Sequence, residues 1–221
     1  MSIPPCADPF EPPAAQQVVC IWAPPSLVPT LMSHPPTLAV RERPTARPPA
    51  TGNPEAERCV GMMARSPLGA RAELKGPVGE RNVYALRRRG RIAAIAASES
   101  GLLIQIGAIL ATGNDAVVGA ALARRALSGL PAELAHRIAT VEDPLSAPAL
   151  AFVLLEGDEA GTAEALRRLA SRPGPIIRVQ VLASARLVAG EDYNLADLVE
   201  ECASATNTAA AGGNASLMTI G

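Results

Sequence analysis

Ala149-Leu150-Ala151-Phe152-Val153-Leu154-Leu155 is an unbroken apolar run, closed off by Pro148 before it and Gly157 after it. It is too short to be a buried helix, and it has no polar position that would mark a solvated face. It reads as a strand buried on both faces, the habit of parallel sheets sandwiched between helices. Asp158 stands where a helix N-cap belongs, and the helix it opens runs to Ser171. Its inner stripe is expected to be Ala163, Leu166, Leu169 and Ala170, with Arg167, Arg168 and Arg172 outside it or near its end, where cations suit the dipole. Ile176-Ile177-Arg178-Val179-Gln180-Val181-Leu182 is the next strand. Strand, helix and strand in succession imply crossovers and a mainly parallel sheet.

The same alternation extends upstream. Asn82-Val83-Tyr84-Ala85-Leu86 reads as a strand, Arg87-Arg88-Arg89-Gly90 as a turn, and Arg91-Ile92-Ala93-Ala94-Ile95-Ala96 as a second, more buried strand. Ser98 caps a helix running to about Thr112, with Leu102, Leu103, Ile106, Ile109 and Leu110 at helical spacing. Gly113 is placed to end it in a left-handed residue. Ala116-Val117-Val118 is a short buried strand, 120–127 a helix, and 133–138 a further helical turn after Pro131. Leu195-Ala196-Asp197-Leu198-Val199-Glu200-Glu201 reads as a short helix or an edge strand. The expected fold class is α/β: a Rossmann-like, mainly parallel sheet with flanking helices over 65–190, then a flap and extended tail over 191–221.

Residues 1–64 are a different kind of sequence. They hold 14 of the 21 prolines, from Pro4 to Pro54, with three of the four cysteines and the only tryptophan, Trp22. Proline at that density removes backbone donors and blocks helices and central strands. The segment reads as non-globular, with the composition of out-of-frame translation of GC-rich DNA, and is expected to add nothing to the fold.

Composition narrows the function. The chain is 48% hydrophobic but only 2% aromatic, so the core is built from aliphatic residues. A net charge of −1 gives no basis for nucleic-acid binding. No apolar run approaches the ~20 residues that span a bilayer, and the start lacks a secretory signal pattern, so a cytoplasmic location is expected. Cys6, Cys20, Cys59 and Cys202 lack metal-site spacing and read as free thiols.

The final stretch carries the most specific pattern. Asn207-Thr208-Ala209-Ala210-Ala211-Gly212-Gly213-Asn214-Ala215-Ser216-Leu217-Met218-Thr219-Ile220-Gly221 is uncharged and free of proline, unlike a disordered tail. Gly212 and Gly213 allow close backbone approach. Asn207, Thr208, Asn214 and Ser216 can bond to backbone, and Leu217, Met218 and Ile220 are apolar anchors. These nine residues form a candidate docking motif.

That run resembles the C-terminal signature of the proline utilization A family. Gly76-Pro77-Val78-Gly79-Glu80-Arg81-Asn82 resembles the family's GPTGERN, followed in both by a strand and an R-G-R turn, here Arg89-Gly90-Arg91. Ala111-Thr112-Gly113-Asn114-Asp115-Ala116-Val117-Val118 resembles the aldehyde dehydrogenase pattern of a helix ending at Gly-Asn before a buried strand. The resemblance covers about 66–221. It implies the C-terminal domain of a bifunctional enzyme that oxidises proline to glutamate, with FAD in a proline dehydrogenase and NAD in a glutamate-semialdehyde (1-pyrroline-5-carboxylate) dehydrogenase. In the longer members of that family, a C-terminal domain resembles the aldehyde dehydrogenase NAD-binding fold but lacks activity. It covers the channel that carries the intermediate, and the terminal motif docks on the catalytic aldehyde dehydrogenase domain. This chain alone is then expected to bind no cofactor and to catalyse nothing.

The residues themselves supply no competing chemistry. There is no G-x-G-x-x-G fingerprint after the first strand. Glu200 and Glu201 beside Cys202 oppose thiolate formation, so Cys202 reads as structural. His136 has no partner at triad or metal spacing. Arg87, Arg88, Arg89 and Arg91 read as a solvated hairpin end or an ionic contact to a partner domain. Glu156 and Asp158 flank Gly157 where open α/β sheets place ligands, and helix capping accounts for both. The alternatives are a fragment that binds NAD and keeps a dehydrogenase role, or a separate regulatory subunit that docks on a dehydrogenase.

Overall fold

The structure is a computed structural model that describes residues 17–19, 53–77, 79–128 and 132–207. The chain begins with β1 (Gln17–Val19), α1 (Pro54–Arg65), β2 (Arg71–Leu74), β3 (Glu80–Arg88), β4 (Arg91–Ile95) and α2 (Glu99–Ala111). Next come β5 (Asp115–Gly119), α3 (Ala120–Ala126), α4 (Ala132–Ala135), β6 (Ile138–Val141) and a 3-10 turn at Pro144–Ser146. The chain continues through β7 (Leu150–Glu156), α5 (Glu159–Ala170), β8 (Arg178–Leu182), α6 (Ser184–Val188), a 3-10 turn at Leu195–Leu198, and β9 (Val199–Asn207). Among the described residues these elements divide into two compact units, one formed by 53–68 with 87–200 and the other by 17–19 with 69–86 and 201–207.

The larger unit is built on a five-stranded sheet in the order β6-β5-β4-β7-β8. Every neighbouring pair is parallel. Successive residues of a strand point to opposite faces, and the core divides accordingly. Ile92, Ala94, Ala116, Val118, Phe152 and Leu154 join one buried cluster with α1 and α2. Ala93, Val117, Val153 and Leu155 join another with Leu145, Ala147, Ala165 and Leu169. The apolar run around Phe152 is therefore continuous because both of its faces are covered. Its strand starts at Leu150, since Ala149 turns into the left-handed region at φ 54°.

Helix α2 forms as its ends dictate. Ser98 accepts the Gly101 N–H at 2.9 Å, and Gly113 leaves the helix at φ 73°. Its flank is buried more widely than a single stripe: Leu102, Ile104, Gln105, Ile106, Ala108 and Ile109 are all inside. Such a helix needs cover on more than one side, and α1 provides it. Met62 of α1 is fully buried in the same cluster. Arg58 ties α1 to the far end of the unit. It donates to Asp192 Oδ1 from Nε and Nη2 at 3.0 and 2.8 Å, and to the Leu187 and Glu191 carbonyls at 3.0 and 2.6 Å. Arg65 adds a 2.7 Å bond to Asp192 Oδ2.

Helix α1 corrects the expectation that residues 1–64 add nothing. Asn53 caps it by accepting the Ala56 N–H at 3.1 Å, Pro54 stands in its first turn, and Glu55 and Glu57 follow. Proline in that place starts a helix and does not break one. Gln17–Val19 also pairs antiparallel with Ala203–Ala205 of β9. The rest of 1–52 lies outside the described residues.

Other expectations shift locally. The buried face of α5 is Ala165 and Leu169, whereas Leu166 is 45% exposed. Residues 133–138, expected to be helical throughout, hold the end of α4 and then the start of strand β6. Residues 195–201 are a 3-10 turn leading straight into β9. β3 and β4 lie in different sheets, so Arg87-Arg88-Arg89-Gly90 is not a hairpin end.

The smaller unit holds most of a four-stranded sheet in the order β1-β9-β3-β2. β2 and β3 are antiparallel, with Val83 and Leu86 buried. Tyr84 lies beside Glu201, and its phenol is pushed well above the usual tyrosine range, first by burial and then by that carboxylate. Among the described residues no helix is long and apolar enough to cross a membrane.

Candidate functional site at the carboxyl edge of the parallel sheet

The sheet winds outward from β4 in both directions, through β5 to β6 and through β7 to β8. Sheets of this kind receive ligands beyond the carboxyl ends of the two strands where the winding reverses. Here those strands are β4 and β7. The chain leaves β4 at Ile95 and enters α2 at Glu99, so the backbone N–H groups of Ala97 and Ser98, just ahead of the helix, have no partner within it. β7 ends on Glu156, which is 5% exposed.

Glu156 reaches across the switch point. Its Oε2 accepts the Ala97 and Ser98 N–H groups at 2.9 and 3.0 Å. Ser98 Oγ lies 3.0 Å from Oε1 and 3.1 Å from Oε2, and in turn accepts the Gly101 N–H. A Cβ added to Gly101 would collide with Glu156 Oε2 and stand 2.8 Å from Ser98 Oγ. The seat is therefore a cradle of two backbone donors, one hydroxyl and one glycine, filled by a carboxylate of the protein itself.

Gln105, about one turn beyond Gly101 on α2, is fully buried. Its Nε2 donates to the Ile95 carbonyl at 3.1 Å and to Tyr193 Oη at 2.9 Å. Burial pushes the Tyr193 phenol well above the usual range; the Gln105 bond opposes this and the Glu156 charge adds to it. Among the described residues Gln105 Oε1 has no hydrogen-bond partner.

Of the candidate docking motif, Asn207 is the exposed last residue of β9. Thr208, Gly212, Gly213, Asn214, Ser216, Leu217, Met218 and Ile220 lie outside the described residues. Cys202 is 4% exposed in β9. Cys59 packs its Sγ 3.6 Å from the Leu103 carbonyl, and burial raises its thiol above the ordinary range. His136 is exposed beyond α4. Among the described residues no group of three His, Cys, Asp or Glu side chains converges to hold a metal.

The arginines expected on a solvated hairpin instead stitch the larger unit. Arg88 pairs with Asp115 at 3.0 Å, Arg89 Nε donates to the Asp197 carbonyl at 2.7 Å, and Arg91 to the Pro148 carbonyl at 3.2 Å. Arg89 also stands 5.9 Å from the Phe152 ring centre. Asp158 caps α5 as read, accepting the Gly161 N–H at 2.8 Å. Glu156, also expected to serve a helix cap, instead holds the Ala97 and Ser98 N–H groups just ahead of α2, whose cap is Ser98. Which helix it serves needs strand β7 next to β4, a pairing no local pattern announces.

No protein-family model matches the chain. It is 44% identical over 169 residues to the bifunctional protein PutA of Rhizobium meliloti, covering 76% of this chain and 14% of that protein. It is 35% identical over 176 residues to the bifunctional protein PutA of Escherichia coli (strain K12), covering 78% of this chain and 13% of that protein. A solved structure of proline utilization A with proline bound in remote sites aligns over 58% of this chain and 15% of its own, at 25% identity and a TM-score of 0.48. An NAD-dependent benzaldehyde dehydrogenase from Corynebacterium glutamicum aligns over 57% and 31%, at 17% identity and a TM-score of 0.42. Over about three quarters of its length, then, this chain is homologous to the bifunctional PutA proteins, of which it spans about one seventh.

Proposed function

We propose that this chain is a non-catalytic scaffold segment of a PutA-type oxidoreductase that converts proline to glutamate. On this reading it covers the channel between the two active centres, and its tail from Asn207 to Gly221 docks on the glutamate-semialdehyde dehydrogenase domain. FAD and NAD belong to the catalytic parts of such an enzyme and not to this segment, and the whole works in the cytoplasm.

The observation that carries the reading is the state of the two described thiols. Aldehyde oxidation through a covalent intermediate needs an exposed cysteine poised as thiolate. Cys202 is sealed inside β9, and Cys59 is wedged between two helices with its thiol pushed up. The homology to PutA supplies the pathway, and the small share of PutA covered fits a part without its own active centre.

The purified chain, given NAD and glutamate semialdehyde, is expected to form no NADH above background. In a PutA relative that carries the corresponding tail, deleting its last fifteen residues should leave both half-reactions intact and lengthen the lag before NADH appears from proline. Coupling without a lag in that truncated enzyme sinks the scaffold assignment.

A further inference from the structure

The resemblance to NAD-dependent dehydrogenases raises the question of whether the switch point here fits a dinucleotide. It does not. Phosphate groups bind where free backbone N–H groups and a helix N-terminus converge, and that place holds Glu156. We propose that Glu156 is a built-in anion that keeps the seat at the start of α2 closed to nucleotide phosphates. This deepens the scaffold reading, from which it can be separated by experiment.

Three observations carry the inference. The donors a phosphate would need, the Ala97 and Ser98 N–H groups, both go to Glu156 Oε2. The close approach that glycine permits at Gly101 is used by the same oxygen, since a Cβ there would collide with it. Glu156 is 5% exposed and lies on β7, a strand buried through its central residues, so its carboxylate is held by the sheet and not by a mobile loop. A phosphate entering the seat would meet a like charge at hydrogen-bond distance, and moving that carboxylate aside would strand it among buried groups.

Amide NMR on the full chain, with inorganic pyrophosphate and separately NAD as probes, tests this. With the natural sequence, the Ala97 and Ser98 amide signals should not move as either probe is raised to millimolar concentration. Glu156→Ala vacates the seat, and those two signals should then shift on adding pyrophosphate, with affinity at least about tenfold above that of the natural chain. Shifts in the natural chain would overturn the proposal, as would a folded Glu156→Ala chain whose two amides stay unmoved. Should Glu156→Ala fail to fold, the titration of the natural chain decides by itself. An empty result for Glu156→Ala leaves the scaffold reading standing. NADH formation from glutamate semialdehyde by the natural chain sinks that reading instead.

Discussion

Cys59 of α1 seats its Sγ on the bare Cα of Gly107 in α2. A Cβ at that position would collide with the sulfur and stand 3.2 Å from Cys59 Cβ and 3.5 Å from its Cα. The two helices approach at a point where one side chain had to be missing.

Gly107→Ala tests that contact. Replacing glycine inside a helix ordinarily gains about 0.5–1 kcal/mol. Overpacking a fixed interface costs about 1–3 kcal/mol, and the clash here is with the Cys59 side chain, whereas its Cα stays at contact distance. The net expectation is a loss of about 1–2 kcal/mol in denaturant unfolding. Adding Cys59→Ala should recover part of it, which a double-mutant cycle reads directly. A stabilised Gly107→Ala chain would mean that α1 does not pack there.

Met62→Ala asks whether α1 belongs to the core. Met62 is fully buried among aliphatic residues of the larger unit, and truncating such a side chain costs about 2–5 kcal/mol. Met63, its neighbour at 61% exposure, should tolerate alanine within about 0.5 kcal/mol. Equal, small effects at both positions would return residues 53–65 to the non-globular segment.

Asn114 is fully buried and joins three segments. Its Oδ1 accepts the Gly90 N–H at 2.9 Å, and its Nδ2 donates to Thr112 Oγ1 and the Leu198 carbonyl at 2.9 and 2.8 Å. Asn114→Ala strands the Gly90 and Leu198 groups, for an expected loss of about 3 kcal/mol. Faster hydrogen exchange at the Gly90 amide should accompany it, and unchanged exchange there would rule out the stitch.

Glu200 supplies a pH dependence. Burial raises its carboxyl above the ordinary value, against the opposing pull of Arg89 and Arg87. A raised acid favours its protonated form in the fold. Its contribution is therefore fully present below the unfolded pKa and lost as pH rises through the folded one. Glu200→Gln should stabilise the chain at pH 7 by less than about 1 kcal/mol, with the gain vanishing near pH 4. A variant less stable than the natural chain at pH 7 would show that the arginine contacts outweigh burial.

Much of the parallel layer was legible because its signals are local. Ser98, Gly113 and Asp158 stand at helix ends as read, and the Phe152 run could only be a strand covered twice. Strand β6 was harder: as an edge strand it is half-exposed, and Ile138-Ala139-Thr140-Val141 has no strong alternation. α1 was obscured by its own Pro54, grouped with the prolines before it. Yet α2, apolar nearly all round, needed a second covering element that the expected fold did not contain. The Glu156 seat was beyond local reading, since its donors and acceptor are 58 and 59 positions apart.

The bond between Arg58 and Asp192 spans 134 positions. Synthesis proceeds from the N-terminus at about 5–20 residues per second, so α1 is the first helix of this unit to leave the ribosome and among the last to be secured. For several seconds Met62 and the flank of α2 that α1 covers share a nascent chain with no Asp192 to clamp them. A polypeptide ending shortly before Asp192 would carry every strand of the parallel sheet and still lack its fastening. The two ends of the domain are therefore joined last, and that join waits for residue 192 to arrive.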